Sequence, residues 1–329
     1  MALIPVNLIT GFLGVGKTTS VRHLLDHHPA NERWAVLVNE FGDVGIDGAL
    51  LGDEGVVVQE VAGGCLCCVS APAFTTGLNR LIRQHRPDRI LIEPSGLGHP
   101  AQVLSTLTGP LYQQVLDVRA TICIIDARHL ASARHIEHPT FQDQIHLADV
   151  LVANKVDLYS DVDKSRFEGF ANTLDPAKSK IGYTDHGQFD PQWLDLARAS
   201  ERRAAFPEAH AFLVETANEH DHQHAPQVDS EWLLLEGQAD GYYRAGWVMN
   251  AQHPWSSGKL TRFLDGLGVE RKKGVFRTDH GWQGYNQGAW QPASAPSDSN
   301  NRFEVIDADR IDVNAIDKGM RNIDADAAP

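Results

Sequence analysis

A run of apolar residues from Ile4 to Ile9 leads into Gly11-Phe-Leu-Gly14-Val-Gly16-Lys17-Thr18, and Val21, Leu24, Leu25 and His28 then follow at helical spacing. This strand, glycine loop and amphipathic helix constrain the chain more than any other stretch of it. The pattern G-x-x-x-x-G-K-[ST] at such a junction is a phosphate-binding loop. Glycines let backbone N–H groups turn inward on phosphate oxygens, and the helix N-terminus adds a favourable dipole. Gly11, Gly14, Val15, Gly16, Lys17, Thr18 and Thr19 are therefore expected to wrap the phosphates of a nucleotide. Lys17 is placed for the β- and γ-phosphates, and Thr18 for a Mg²⁺ position. A chance glycine turn is set aside, because pattern and context are both satisfied.

Further short apolar runs alternate with helical patterns. Trp34 to Val38, Val56 to Val58, Ile90 to Ile92, Thr121 to Ile125 and Val150 to Val152 read as strands, and Leu78, Leu81, Ile82 and His85 as a helix face. Strands apolar on both faces and separated by helices imply an α/β fold, a mostly parallel sheet covered by helices on both faces. The expected domain spans 1–212. Residues 213–241, which include the polar EHDHQHAPQ, read as a linker. A small α+β C-terminal domain is expected over 242–329. Its strands are placed at Gly246 to Met249, at the basic Val269 to Arg277 and around Phe303 to Ile306. Its helices are placed at Leu260 to Leu267 and Val313 to Ile323.

Two more motifs select the nucleotide. Asn154-Lys155-Val156-Asp157 follows an apolar strand, the place of a guanine-reading N-K-x-D. Guanine presents N1–H and a 2-amino group, and the Asp157 carboxylate accepts from both. Adenine has neither donor there and would leave that acceptor unpaired. Lys155 covers the base plane with its stem. The strand Ile90 to Glu93 ends in E-x-x-G: Glu93 is expected at Mg²⁺ and the Gly96 amide at the γ-phosphate. Lys17, Thr18, Glu93 and Gly96 are thus the expected catalytic set. Leu97, not Gln, follows Gly96, so unaided hydrolysis is expected to be slow, on the order of 10⁻⁴–10⁻² s⁻¹.

Gly63-Gly64-Cys65-Leu66-Cys67-Cys68 holds three of the chain's 4 cysteines. Thiolates suit soft ions such as Zn²⁺ or Cu(I). Three sulfurs leave a position for another donor or water, as transfer requires. A Cys65-x-x-Cys68 redox pair or buried thiols remain as alternatives. Cys123, inside an apolar strand, is read as core. His220, His222 and His224 are either a solvated loop or a capture site for metal. His99 and His146 are candidate fourth donors, and His27 and His28 are read as surface residues at a helix end.

Composition narrows the class. With 29 Lys and Arg against 43 Asp and Glu the formal charge is −14, which argues against nucleic-acid and anionic-membrane binding. No run of ~18 apolar residues is present, and the start MALIPVNLIT lacks the pattern of a secretion signal. Clustered rather than dispersed cysteines fit a soluble, reducing, cytoplasmic setting.

The order of phosphate loop, Asn39-Glu-Phe-Gly-Asp43, the cysteine cluster, E-P-S-G-L-G-H-P and N-K-V-D resembles the CobW-type GTPases, metal chaperones allied to the nickel-insertion GTPases of urease and hydrogenase. GWVMNAQHPW and VERKKGVFRT look like their C-terminal domain, so the resemblance covers most of the chain. It implies a P-loop GTPase domain with a GTP·Mg²⁺ site, metal at Cys65, Cys67 and Cys68, and a client metalloprotein. It also places Glu40 and Asp43 in a switch segment, where they reach Mg²⁺ or the transferred metal or are merely solvated. Some relatives carry a further carboxylate before the Asn of N-E-F-G; Val38 stands there in this chain. The first reading is a zinc-binding GTPase that couples GTP binding and hydrolysis to metal delivery. The second is a nucleotide- and zinc-responsive switch, or a sequestering module, without delivery. A small-molecule kinase is disfavoured by N-K-V-D. A homodimer is open, with exposed Trp and Tyr of the C-terminal domain as candidates for a dimer or client surface, although buried packing explains those residues equally well.

Overall fold

The computed structural model describes residues 2–38, 57–60, 71–206, 232–239, 241–293, 295–296 and 299–325. They form two compact units, one ending at residue 206 and one starting at residue 232. Glu40, Asp43, Cys65, Cys67, Cys68, His220, His222 and His224 lie outside the described residues, as do the inner part of the expected linker and its boundary with the first domain. Among the described residues no helix is long and apolar enough to cross a membrane.

The first unit contains strands β1 (Ile4–Thr10), β2 (Trp34–Val38), β3 (Val57–Glu60), β4 (Arg89–Glu93), β5 (Leu116–Val118), β6 (Ile122–Ile125), β7 (Val150–Ala153) and β8 (Lys180–Tyr183). Their order is β3-β2-β4-β1-β6-β7-β8, with β5 beside the first half of β1, and every pairing is parallel. Every residue of β2, β4, β6 and β7 is buried, so the sheet is covered on both faces. Helices α1 (Lys17–Asp26), α2 (Ala71–His85), α3 (Pro100–Leu107), α4 (Pro139–Leu147) and α5 (Asp161–Asn172) supply the connections. On one face Phe74, Leu78 and Leu81 of α2 and Val103, Leu104 and Leu107 of α3 pack on Val6, Leu8, Ile90 and Ile92. Apart from the adjacent Val103 and Leu104, these recur every three or four residues in the helices and every two in the strands, as each period requires.

The far edge of this sheet is tied by charge. Arg89, at the start of β4, donates to Asn7 Oδ1 at 2.7 Å and pairs with Asp195. Asp149 accepts from Arg202 Nε at 2.9 Å, Ala199 N at 3.0 Å and Thr121 N at 2.9 Å. A buried carboxylate so fully hydrogen-bonded holds the segment 195–202 against the sheet. Cys123 is wholly buried, and burial pushes its thiol up to about 12. It is core, as its sequence setting implied.

The second unit is a six-stranded antiparallel sheet of β9 (Trp232–Ala239), β10 (Tyr242–Met249), β11 (Arg271–Thr278), β12 (Gly281–Asn286), β13 (Ala289–Pro292) and β14 (Asn301–Asp307), in the order β13-β12-β11-β14-β10-β9. Helices α6 (Ser257–Gly266) and α7 (Val313–Ala325) pack on one face, with Leu260, Leu264, Ile316 and Met320 against Trp247, Phe276 and Phe303. Residues 232–239 correct the expected linker: they are a strand paired with β10 along its whole length. Trp232 and Leu234 join the core cluster, which a solvated linker would have exposed. Of the two readings of the aromatic side chains, packing holds for four, while Tyr243, Trp282 and Trp290 are half-buried. Trp247, Trp255, Tyr242 and Tyr285 are all fully buried. Their polar tips are met within the unit: Trp247 Nε1 by Asp317 at 3.0 Å, Trp255 Nε1 by Asp324 at 2.9 Å and Tyr285 OH by Asp265 at 2.7 Å.

Candidate nucleotide site

The phosphate loop leaves the sheet at the C-terminal end of β1, between the ends of β4 and β6, where open α/β sheets form their ligand crevice. Gly11, Gly14 and Gly16 all adopt positive φ. Gly16, in the left-handed region, is the residue from which α1 starts, and no side chain caps that helix. A Cβ on Gly16 would collide with the Asn154 side chain. A backbone tightly turned here with its first helical N–H groups uncapped by any side chain is a cradle for anionic oxygen. Val15 and Lys17 are buried, Thr18 is half-buried and Thr19 is exposed. Lys17 Nζ donates to Phe12 O at 3.0 Å, folding its ammonium back over the loop.

Two other strand ends meet this loop. Glu93, last residue of β4 and 3% exposed, accepts a 2.7 Å hydrogen bond from the Thr18 hydroxyl. A carboxylate and a hydroxyl held together at a phosphate loop are the oxygen donors that suit Mg²⁺. Gly96 packs against the loop itself: a Cβ there would lie 2.9 Å from both Leu13 Cα and Leu13 N. From beyond β7, Asn154 donates to Val15 O at 2.8 Å and accepts from Gly187 N at 3.0 Å. One amide therefore joins the loops after β1, β7 and β8. Lys155 adopts positive φ and opens a single 3-10 turn, Val156–Leu158, on which Asp157 is exposed.

Three contributors were not foreseen. Asp126, at the end of β6, lies 3.7 Å from Lys155 Nζ and takes two hydrogen bonds from the Arg128 guanidinium, at 2.9 and 2.6 Å. Burial pushes this carboxyl up, but the Arg128 hydrogen bonds and the charges of His129 and Arg128 outweigh it and hold it below its ordinary value. The Tyr159 hydroxyl accepts from Ala127 N at 2.7 Å and donates to Asn154 O, so it clamps the loops after β6 and β7 together. Its pKa is raised, mainly by burial. Gly187 is the third. Asp126 had a readable signal, a lone carboxylate ending an apolar strand; Tyr159 and Gly187 had none.

The two histidines considered as fourth metal donors are placed apart. His99 is buried before α3 with Nδ1 3.4 Å from Thr140 Oγ1. His146 is in the last turn of α4, where burial and Lys178 lower its pKa. Among the described residues no group of three His, Cys, Asp or Glu could hold a metal ion.

The family model for the CobW/HypB/UreG nucleotide-binding domain matches residues 5–181. The chain is 39% identical over 328 residues to a protein named zinc chaperone YeiR from Escherichia coli (strain K12), covering 95% of this chain and 96% of that one. It is 34% identical over 183 residues to zinc chaperone CobW from Sinorhizobium sp, covering 47% of this chain and 51% of that one. It is 32% identical over 194 residues to zinc chaperone YjiA from Escherichia coli (strain K12), covering 57% and 59% respectively.

Proposed function

The chain belongs to the CobW/HypB/UreG family, and on that premise we propose that it is a GTPase that takes zinc as cargo and delivers it to a client metalloprotein. The observation that carries the nucleotide half is the junction at Val15, where Asn154 binds the guanine-reading loop to the phosphate loop. The metal half is supported by near-full-length similarity to a protein named a zinc chaperone, together with the thiols Cys65, Cys67 and Cys68.

The residues divide the work. Gly11 to Thr19 enclose the phosphates. Lys17 exchanges its bond to Phe12 O for the β- and γ-phosphate oxygens. Asp157 accepts from guanine N1–H and the 2-amino group, with Lys155 beside the base. Thr18 and Glu93 hold Mg²⁺, which when bound neutralises charge developing on the β–γ bridge. The Gly96 N–H meets the γ-phosphate, and because Gly96 abuts Leu13 its loop and the phosphate loop must move together. The side chain after Gly96 is Leu97, fully buried, so it orients no water and unaided hydrolysis is slow. Glu40 and Asp43, in the segment between phosphate loop and thiols, are the candidate switch carboxylates. His220, His222 and His224 are candidate capture donors.

Coupling is reciprocal: if GTP changes zinc affinity, zinc changes GTP affinity by the same factor, typically for ~1–3 kcal/mol. Zinc affinity is to be measured by competition under reducing conditions, with GDP·Mg²⁺ and with a non-hydrolysable GTP analogue. The expected result is a shift of roughly 5–150-fold between nucleotides that disappears in the Cys65→Ala, Cys67→Ala, Cys68→Ala variant. Equal affinity in both nucleotide states would remove the coupling and with it the delivery mechanism.

A further inference from the structure

Helix α1 leads from the phosphate loop to the opposite edge of the sheet, where His28 packs beside Trp34 at the start of β2. It carries His23 near its end and is capped by His27. Residues four apart on a helix stand over one another on one face. The two imidazole rings lie with centroids 4.2 Å apart and planes 41° from parallel.

The nitrogens are already sorted. His27 Nδ1 lies 2.8 Å from the His23 carbonyl oxygen. A carbonyl only accepts, so Nδ1 carries the proton, and in the neutral ring Nε2 keeps its lone pair. Histidines that ligate metals are commonly fixed this way, with the second ring nitrogen donating to a backbone carbonyl. The end of α1 is also the negative end of the helix dipole, which favours a cation. His27 is exposed and His23 half-buried, so the pair is reached from solvent.

We propose that His23 and His27 chelate a divalent late transition metal ion such as Cu²⁺, Ni²⁺ or Zn²⁺ at the C-terminal end of α1. Imidazole donors select these ions over Mg²⁺. At 1.5 Å per residue His23 and His27 stand about 9 and 15 Å along α1 from the phosphate loop, so the site is not the nucleotide's magnesium position. With two protein donors the remaining positions belong to water, which makes the site open and exchangeable rather than structural.

The test starts from protein carrying Cys65→Ala, Cys67→Ala, Cys68→Ala, His220→Ala, His222→Ala and His224→Ala, which removes the thiol cluster and the histidine stretch as competing donors. Cu²⁺ and Zn²⁺ affinities are measured against a chromophoric chelator in this background, and again after His23→Gln, His27→Gln and both. A chelate needs both rings. Each single variant is expected to weaken one site by roughly 10²-fold, and the double no further. The Cu²⁺ paramagnetic resonance spectrum should show two coordinated imidazole nitrogens in the background protein and lose that signature in either single variant. Unchanged affinity in either variant, or losses that simply add, would overturn the proposal. Guanine nucleotide affinity is followed in parallel, because α1 starts in the phosphate loop and reports its own unfolding there. His27 is exposed and leaves packing intact when replaced, so His27→Gln decides the matter even where His23→Gln also weakens nucleotide binding.

Discussion

The two units spend their buried polar side chains differently. In the first, Thr18, Glu93, Asn154 and Tyr159 join one strand-end loop to another at a single edge of the sheet. In the second, the indoles of Trp232 and Trp247 both donate to Asp317, and that of Trp255 to Asp324, all within the packing of α7 on the sheet. A parallel sheet returns through helices, so its strands all end at one edge and present a row of loops there. An antiparallel sheet closes through hairpins and gathers no such row. Polar pairs at the first unit's edge therefore shape a binding crevice, and those in the second fix the register of helix on sheet.

Breaking the crevice tests this contrast most strongly. Lys17→Ala is expected to lower GTP turnover by roughly 10²–10³-fold with the fold retained, read by phosphate release and circular dichroism. In the second unit Asp317→Ala orphans two indole donors, each worth about 1–3 kcal/mol when buried unpaired. Denaturation followed by tryptophan fluorescence should show a loss of about 2–4 kcal/mol, with guanine nucleotide affinity unchanged. A parallel drop in nucleotide affinity would mean that the second unit's packing serves the crevice after all. Tyr159→Phe should weaken nucleotide binding by about 1–2 kcal/mol while leaving single-turnover hydrolysis of bound GTP alone. Equal binding by both proteins would reduce the Tyr159 clamp to ordinary packing.

A further effect, no larger than these, is on pH. Burial, and then His135, push His129 down to about 4 from 6.5. The unfolded chain thus binds the proton more readily, so this contribution to stability is full above pH 6.5 and is lost as pH falls to about 4. Allowing for its partly exposed ring, the change is about 2 kcal/mol at most. His129→Gln should flatten the unfolding midpoint across that window; an unaltered slope would assign the acid sensitivity to carboxylates.

Much of the first unit was legible because its strands are buried on both faces and read as unbroken apolar runs. β5 and β8 escaped that reading: β8 is half-exposed to fully exposed along Lys180–Tyr183, and β5 is only three residues long. β9 was hidden for another reason. Its sequence, WLLLEGQA, shows no regular alternation and stands beside a polar stretch, and only the pairing with β10 makes it a strand. At the site, Gly11 to Thr18, Glu93 and Asn154 could be read from spacing, because backbone turns and strand ends impose that spacing. Tyr159 and Gly187 could not, because they reach Asn154 from different turns of the chain.

Sequence alone picked out the phosphate-loop pattern, the parallel α/β class and the N-K-V-D tetrapeptide after β7, since each depends on residue types at fixed local intervals. Tertiary structure decided that Asn154 ties three loops together, that Asp126 stands by Lys155, and that Trp247 and Trp255 of the second unit are core rather than surface. It also decided that His27, read as a surface residue, presents its ring to His23, which the sequence reading had passed over. These outcomes depend on which strand ends and helix faces meet in space, and a linear pattern does not encode that until the sheet order is fixed.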